Sequence, residues 1–215
     1  MAPDMANLYA FDGLRRAECG PLLAGVDEAG RGPWAGPVVA AAVILRPESR
    51  FQGLNDSKQV PARDRERLFE EIRREALFHA VAAVDAPLVD ELNILQATFL
   101  AMRRALFKIA VRPDRIIVDG NQRIPEACAP QETVVKGDAK SASIAAASIL
   151  AKVTRDRIMI EAHGRFPHYD FANNKGYGTP SHQKALRRLG PCPIHRRSFA
   201  PVIAVVSPLL PLEFA

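Results

Sequence analysis

Asp27 and Glu28 stand side by side at the end of a short apolar run, Leu22 to Val26, and a glycine–arginine–glycine turn follows at Gly30, Arg31 and Gly32. An apolar run of this length reads as a strand, so the two acids would sit at its tip. The glycines permit close approach of backbone to a ligand, and the arginine beside them suits a phosphate. A plainer reading also fits, because acids after an apolar run commonly mark a solvated turn. Adjacent strand residues point to opposite faces, so both acids can serve one centre only where the strand ends or bulges. The two glycines and Pro33 fit such an ending.

The pair gains meaning from acids elsewhere. Asp119 closes a second β-branched run, Arg115 to Asp119, just before Gly120. Asp156 lies in a long aliphatic segment, where steps of three and four join Ile149, Val153, Asp156 and Ile160. An unpaired charge on an apolar stripe is costly. Two roles fit it: neutralisation by Lys152 or Arg155 within a structural helix, or a stripe that borders a cation site. If the two strands are parallel neighbours, their tips lie about 5 Å apart. Asp27, Glu28, Asp119 and Asp156 could not crowd there as anions without bound cations. Oxygen-only ligands favour Mg²⁺ or Mn²⁺ over zinc, and a pair of such ions about 4 Å apart suits displacement at a phosphodiester. The residues alone therefore point to metal-dependent phosphoryl transfer.

The elements that must position these acids follow from periodicity. Leu22–Glu28 and the near-continuous apolar run Pro37–Leu45 read as strands, the second buried on both faces and paired antiparallel to the first. Pro61–Leu77 is an amphipathic helix, apolar at Leu68, Phe69, Ile72, Ala76 and Leu77. Phe78–Asp85 is a third strand, Ala86–Glu91 a short helix, and Asn93–Val111 a longer one that Pro113 ends. Arg115–Asp119 and Glu132–Lys136 complete the strands. Ser141–Ala162 is the central buried helix, with Ile144, Ile149, Val153 and Ile160 at helical spacing. A glycine-rich loop, Asn173–Pro180, carries Tyr177 and precedes a basic helix, Ser181–Leu189. The order predicts an α/β fold, a mixed five-stranded sheet flanked by helices with a small helical C-terminal segment from about residue 165. Residues 1–20 read as an irregular leader with one helical turn around Leu14–Cys19, and 21–215 as a single domain.

The chain has 215 residues, 48% of them hydrophobic and 25% charged, with a net charge of +5. That size supports one sizeable core, and the basic balance leans toward polyanionic partners. Three cysteines, Cys19, Cys128 and Cys192, are scattered, which argues against a disulfide framework and for a reducing, cytoplasmic setting. Cys192 and His195 form a C-x-x-H pair that no second pair completes into a zinc site. The N-terminus lacks a signal-peptide pattern, and the longest apolar run is far short of the roughly 20 residues that span a bilayer.

Taken together, several segments resemble ribonuclease HII. They are V-D-E-A-G-R-G-P-W-A-G-P-V-V-A-A-A-V-I-L from Val26, L-N-D-S-K from Leu54, V-D-G-N from Val118 and K-G-D from Lys136. S-I-A-A-A-S-I-L-A-K-V-T-R-D-R from Ser143, G-Y-G-T-P-S-H from Gly176 and H-R-R-S-F from His195 complete the set. They keep the family's order and span Val26 to Phe199. The resemblance implies a ribonuclease H-like fold, endonucleolytic cleavage of the RNA strand of RNA–DNA hybrids, and incision at ribonucleotides embedded in duplex DNA, leaving 5′-phosphate and 3′-hydroxyl ends. It implies that Asp27, Glu28, Asp119 and Asp156 are the catalytic, metal-binding carboxylates, with Mn²⁺ or Mg²⁺ as cofactor. It implies that Gly30, Arg31 and Gly32 contact the 2′-hydroxyl, and that Tyr177 stacks on the sugar following the ribonucleotide. Lys58, Lys136, Lys152, Arg196 and Arg197 fit backbone contacts or structural ion pairs. No histidine is given a catalytic role.

The chain lacks the long N-terminal substrate-binding domain typical of ribonuclease HIII. Its tail, P-L-L-P-L-E-F-A, lacks the glutamine-led aromatic pattern of a sliding-clamp peptide. A monomer without tail-mediated clamp docking is expected. A ribonuclease HIII-like hybrid nuclease, a transposase- or integrase-like DNA nuclease and a catalytically silent nucleic-acid-binding module are the rival readings.

Overall fold

The computed structural model describes residues 5–207, and the tail segment from Pro208 to Ala215 lies outside the described residues. Five strands form one mixed sheet in the order β3-β2-β1-β4-β5. They are β1 (Leu23–Ala29), β2 (Val38–Ile44), β3 (Phe78–Val84), β4 (Arg115–Asp119) and β5 (Gln131–Val134). β1 pairs antiparallel with β2 and parallel with β4, and β4 pairs parallel with β5. The predicted strands are all present, with ends shifted by one or two residues.

β2 shows why the sheet is central. All seven of its residues are buried, and they divide by alternation. Val38, Ala40, Ala42 and Ile44 face a core built with α4 (Ile94–Lys108). Val39, Ala41 and Val43 face a second core built with α2 (Ala62–Glu75) and α5 (Ala142–Arg165). Helices thus cover both faces, so a strand with no polar residue is stable there. Small residues let α5 lie close. A Cβ added at Gly25 would come within 2.2 Å of the Ser143 backbone, so β1 and the first turn of α5 touch main chain to main chain.

The leader differs from expectation. Met5–Cys19 is a helix, α1, not an irregular stretch with one turn. Its anchor is Asp12, which is fully buried. The Asp12 carboxylate accepts from Ser141 Oγ at 2.6 Å, and from Ser143 N and Oγ at 2.9 and 2.6 Å. Ser141 is the N-cap of α5, so an acid from α1 meets the N–H groups and positive dipole end of α5. Burial nevertheless raises the Asp12 pKa, against these hydrogen bonds and Arg16.

α5 also departs from its predicted stripe. Ile144, Ile149 and Val153 are buried, but Ile160 is 53% exposed. Beyond Val153 the helix runs off the sheet and packs Met159 and Ala162 against Tyr169, Phe171, Ala185 and Cys192. Its buried face rotates accordingly, and Arg155, not Asp156, is the charged residue turned fully inward. The C-terminal segment adds α6 (Phe171–Asn174), α7 (Pro180–Leu189) and α8 (Ala200–Val206), and α3 (Ala86–Leu92) lies before α4. No helix among the described residues is long and apolar enough to cross a membrane.

Candidate active site

The parallel register of β1 and β4 builds the centre. Leu23 pairs with Arg115 and Val26 with Val118, so the next step sets Asp27 beside Asp119 at the carboxyl ends of both strands. Leu23 and Ile117 pack together on the α5 side, and period two places Asp27 and Asp119 on that same face. β5 supplies a third acid. It ends at Val134, opposite Asp119, and the chain turns through Lys136, at φ 57°, into a short 3₁₀ turn holding Asp138. Gly137 N donates to Asp119 Oδ1 at 2.7 Å. A side chain at Gly137 would strike Ile144 Cδ1 at 2.6 Å, so glycine is what lets this turn fit under α5. One oxygen from each of Asp27, Asp119 and Asp138 lies within 4.8 Å of the others.

Electrostatics mark this cluster as unfinished. Burial holds the Asp27 carboxyl well above the usual range, with Glu28 and Asp119 adding to the effect. Burial, then Asp119 and Asp56, push Asp138 up to about 6. Glu28 is also raised by burial, with Arg31 opposing and Asp119 adding. Burial pulls the Lys58 ammonium down, but Asp56, Asp138, Asp27 and Asp119 together carry it above its ordinary value. Buried acids that raise one another lack counter-charge, and a bound divalent cation would supply it. The donors are all oxygens, the set that hard divalent cations prefer.

Around the acids lies a cleft of about 330 Å³ that includes Asp27, Glu28, Gly30, Arg31, Gly32 and Tyr177 in its wall. Glu28 lines the same cleft as Asp27, and Arg31 Nη1 stands 3.4 Å from Glu28 Oε1. Tyr177 is 46% exposed, and the Arg155 guanidinium lies 5.9 Å from its ring centre. Lys58, Ser148 and Lys152 also line it. Ser148 hydrogen-bonds Asp27, and its Oγ lies 2.9 Å from Ser57 Oγ.

Asp156, expected at the centre, stands apart from this cluster. Its Oδ1 is ion-paired with Lys152 Nζ at 2.7 Å, and it is not one of the three acids whose oxygens meet within 4.8 Å. Ser148 is the α5 residue that meets Asp27, and Asp156 lies eight residues further on, about 12 Å along the axis. The structural role left open in the sequence is the one the geometry favours, and Asp138 occupies the place expected of Asp156. The sequence carried a signal for Asp138. It lies in the K-G-D segment just past a strand, although, unlike Asp27 and Asp119, it stands after the glycine and not at the strand's own tip.

Two buried arginines hold the glycine turn from behind, a role that the sequence reading did not assign. Arg196 is fully buried. Its guanidinium donates to the carbonyls of Gly30 at 2.6 Å, Arg31 at 2.9 Å, Pro33 at 2.8 Å and Gly36 at 3.0 Å. Arg155 donates to Pro37 O at 3.0 Å and Ala35 O at 3.1 Å. Burial, reinforced by Arg155, holds the Arg196 pKa down at about 9. Gly30 has a φ of +95°, and a Cβ there would lie 2.0 Å from Arg155 Nε. Arg197 is exposed, and its backbone N donates to Asp90 Oδ2 at 2.8 Å.

Comparisons with known proteins agree with this geometry. The family model described as Ribonuclease HII matches residues 24–202. A ribonuclease HII of Endomicrobium trichonymphae is 52% identical over 202 residues, covering 94% of this chain and 96% of that protein. Among solved structures, the ribonuclease H2 of Pyrococcus horikoshii OT3 superposes with a TM-score of 0.73 at 28% identity, over 85% of this chain and 96% of that one. The ribonuclease HII in a PCNA complex from Archaeoglobus fulgidus superposes with a TM-score of 0.65, also at 28% identity, over 78% and 87%. With a match that takes in the strand tips, the glycine turn and the Tyr177 loop, the chain belongs to the ribonuclease HII family of hydrolases.

Proposed function

We propose that this enzyme cuts the RNA strand of RNA–DNA hybrids internally and incises duplex DNA at single embedded ribonucleotides. The observation that carries this reading is the meeting of Asp27, Asp119 and Asp138 within 4.8 Å at adjacent strand tips, with Asp27 also lining the cleft that holds the glycine turn and Tyr177. Family membership supports the coarser part, endonuclease action on the RNA strand of hybrids.

Asp27, Asp119 and Asp138 would hold divalent cations, Mg²⁺ or Mn²⁺, with Glu28 at the rim. Bound there, two such ions stabilise the entering and leaving oxygens of phosphodiester hydrolysis. Water adds to phosphorus, the P–O3′ bond breaks, and the leaving oxygen takes up a proton. The products carry a 5′-phosphate and a 3′-hydroxyl.

Recognition falls to the chain's own groups. Arg196 draws the carbonyls of Gly30 and Arg31 inward. A trans peptide directs its N–H opposite to its C=O, and no described peptide is cis. The N–H groups of Arg31 and Gly32 therefore point away from Arg196. This supports a backbone contact to the 2′-hydroxyl, the group that distinguishes RNA from DNA. Tyr177 offers an exposed ring for stacking on the next sugar, and Lys58 brings a positive charge to the acids.

The test is cleavage of a duplex containing one ribonucleotide, against an all-DNA duplex, with Mg²⁺ and Mn²⁺ titrated separately. Cutting only of the first, dependent on the cation, with ends that a polymerase extends directly, is the expected result. Equal cutting of both duplexes, or a cyclic phosphate end, would overturn the proposal.

A further inference from the structure

Tyr177 owes its place to a network that none of the assigned site residues belongs to. Its carbonyl accepts from His182 Nδ1 at 2.8 Å and from Thr179 N at 2.8 Å. His182 Nε2 lies 3.0 Å from His195 Nε2. On its other side, His195 Nδ1 accepts from the Cys192 backbone N at 3.0 Å and lies 3.1 Å from the Cys192 thiol. His182 and His195 are both buried. Tyr169 meets His195 edge-on, with ring centres 4.9 Å apart, Phe171 contacts both imidazoles, and Trp34 lies against His182.

The two ends of this network fix every proton in it. A carbonyl oxygen can only accept, so His182 Nδ1 must carry hydrogen. A backbone N–H can only donate, so His195 Nδ1 must be bare. A neutral imidazole has one N–H, which leaves His195 Nε2 protonated and His182 Nε2 as its acceptor. Each hydrogen bond then runs the same way, from Cys192 through His195 and His182 to Tyr177. A proton added to either ring would set donor against donor. We infer that His182 and His195 are positioning residues, a one-way hydrogen-bond relay whose terminal donor fixes where the Tyr177 ring stands in the cleft.

The surroundings agree. Burial, then the neighbouring His182, hold His195 down at about 4, and burial lowers His182. The rest of the loop is tied as tightly: Tyr177 N donates to Asn174 O at 2.9 Å, and Gly176 O accepts from Trp34 N at 2.8 Å. Gly178 lies flat on Trp34, where a Cβ would meet ring carbon Cζ2 at 2.1 Å. With the backbone held on both sides, the ring is the exposed part. The inference rests on the proposed role of Tyr177 as a substrate contact.

Two measurements test it. The first is long-range ¹H–¹⁵N spectroscopy of the histidine rings in the wild-type protein at pH 7. His182 should be the Nδ1–H tautomer and His195 the Nε2–H tautomer, both neutral. Like tautomers, or a doubly protonated ring, would overturn the relay. The second is kcat/KM on the one-ribonucleotide duplex for His182→Leu, His182→Asn, Tyr177→Ala and the double variant His182→Leu/Tyr177→Ala. His182→Leu should lose about tenfold alone, as misplacement of a contact residue does, but less than about twofold once Tyr177 is alanine, since residues acting as one unit are non-additive. His182→Asn, whose amide nitrogen can stand in for Nδ1, should recover most of the loss. Additive losses, or an asparagine variant as impaired as the leucine variant, would refute the positioning role. If Tyr177→Ala alone leaves kcat/KM unchanged, it is the substrate-contact reading that fails and the positioning role with it, while the spectra still report the relay itself.

Discussion

Two buried polar centres adjoin along the chain at the end of β1, and they are built on opposite principles. In the first, Asp27, Asp119 and Asp138 are brought together although Asp119 makes both Asp27 and Asp138 harder to ionise. In the second, Arg196 is buried with its guanidinium hydrogen-bonded to four carbonyls of the following turn. The acids are a set of acceptors without enough donors, and the arginine is a donor group with every nitrogen hydrogen-bonded. A folded chain tolerates the first only where something from outside completes it. The second maximises local rigidity and has no need of a ligand. The contrast separates the residues expected to act from those expected to hold.

The sharpest way to break this contrast is to neutralise one acid. Asp27→Asn or Asp119→Asn should lower cleavage by about 10²–10³-fold or more, the scale on which electrostatic catalytic groups act, while hybrid binding remains measurable and thermal stability does not fall. Turnover within a few-fold of wild type would remove either residue from the centre. Asp156→Asn, by contrast, breaks only its pairing with Lys152, and should change activity little. A loss as large as that of Asp119→Asn would restore Asp156 to the site.

The holding side should respond in the reverse sense. Arg196→Leu strands the carbonyls of Gly30, Pro33 and Gly36, all in buried hydrogen bonds, and unmet buried acceptors cost about 1–3 kcal/mol each. Its main effect should be a large fall in melting temperature. A variant that melts normally but has lost activity would place Arg196 among the acting residues instead.

Acidity gives a finer probe. The Asp138 pKa is raised to about 6 from an ordinary value of 3.8, so between those values the folded state binds the proton more tightly than the unfolded chain does. Stability from this group is therefore greatest at low pH and falls as pH rises from about 4 to about 6. In metal-free protein, the melting temperature of wild type relative to Asp138→Asn should decline across that window and then level off. A flat difference would mean that the carboxylates do not strain one another. The smallest effect concerns α1: Asp12→Ala should cost about 1–2 kcal/mol, as loss of a helix cap does, with kcat unchanged.

Much of this arrangement was legible in the sequence, for reasons that individual residues make plain. β2 and the acids ending β1 and β4 follow from short-range patterns, and the family segments tied them to a chemistry. Asp156 stands apart from the acid cluster because a helical stripe does not run straight past Val153, where α5 leaves the sheet and turns a different face inward. Asp138 was missed because β5 is short and three of its four residues are only partly buried, so its tip stood out less. The length of α1 and the work of Arg155 and Arg196 depend on partners more than a hundred residues away, which no local pattern reports.

The side-by-side placement of Val26 and Val118 has a consequence for how this protein can change. Insertion of one residue within Ile116–Val118 would turn Asp119 to the α4 face, and insertion of two would restore its face but carry it about 6–7 Å past Asp27. The short stretch feeding Asp119 can therefore accept substitutions of like size but no change in length. Variation in length should instead collect in the connections, such as the one between β4 and β5, where an extra residue leaves every carboxylate where it was.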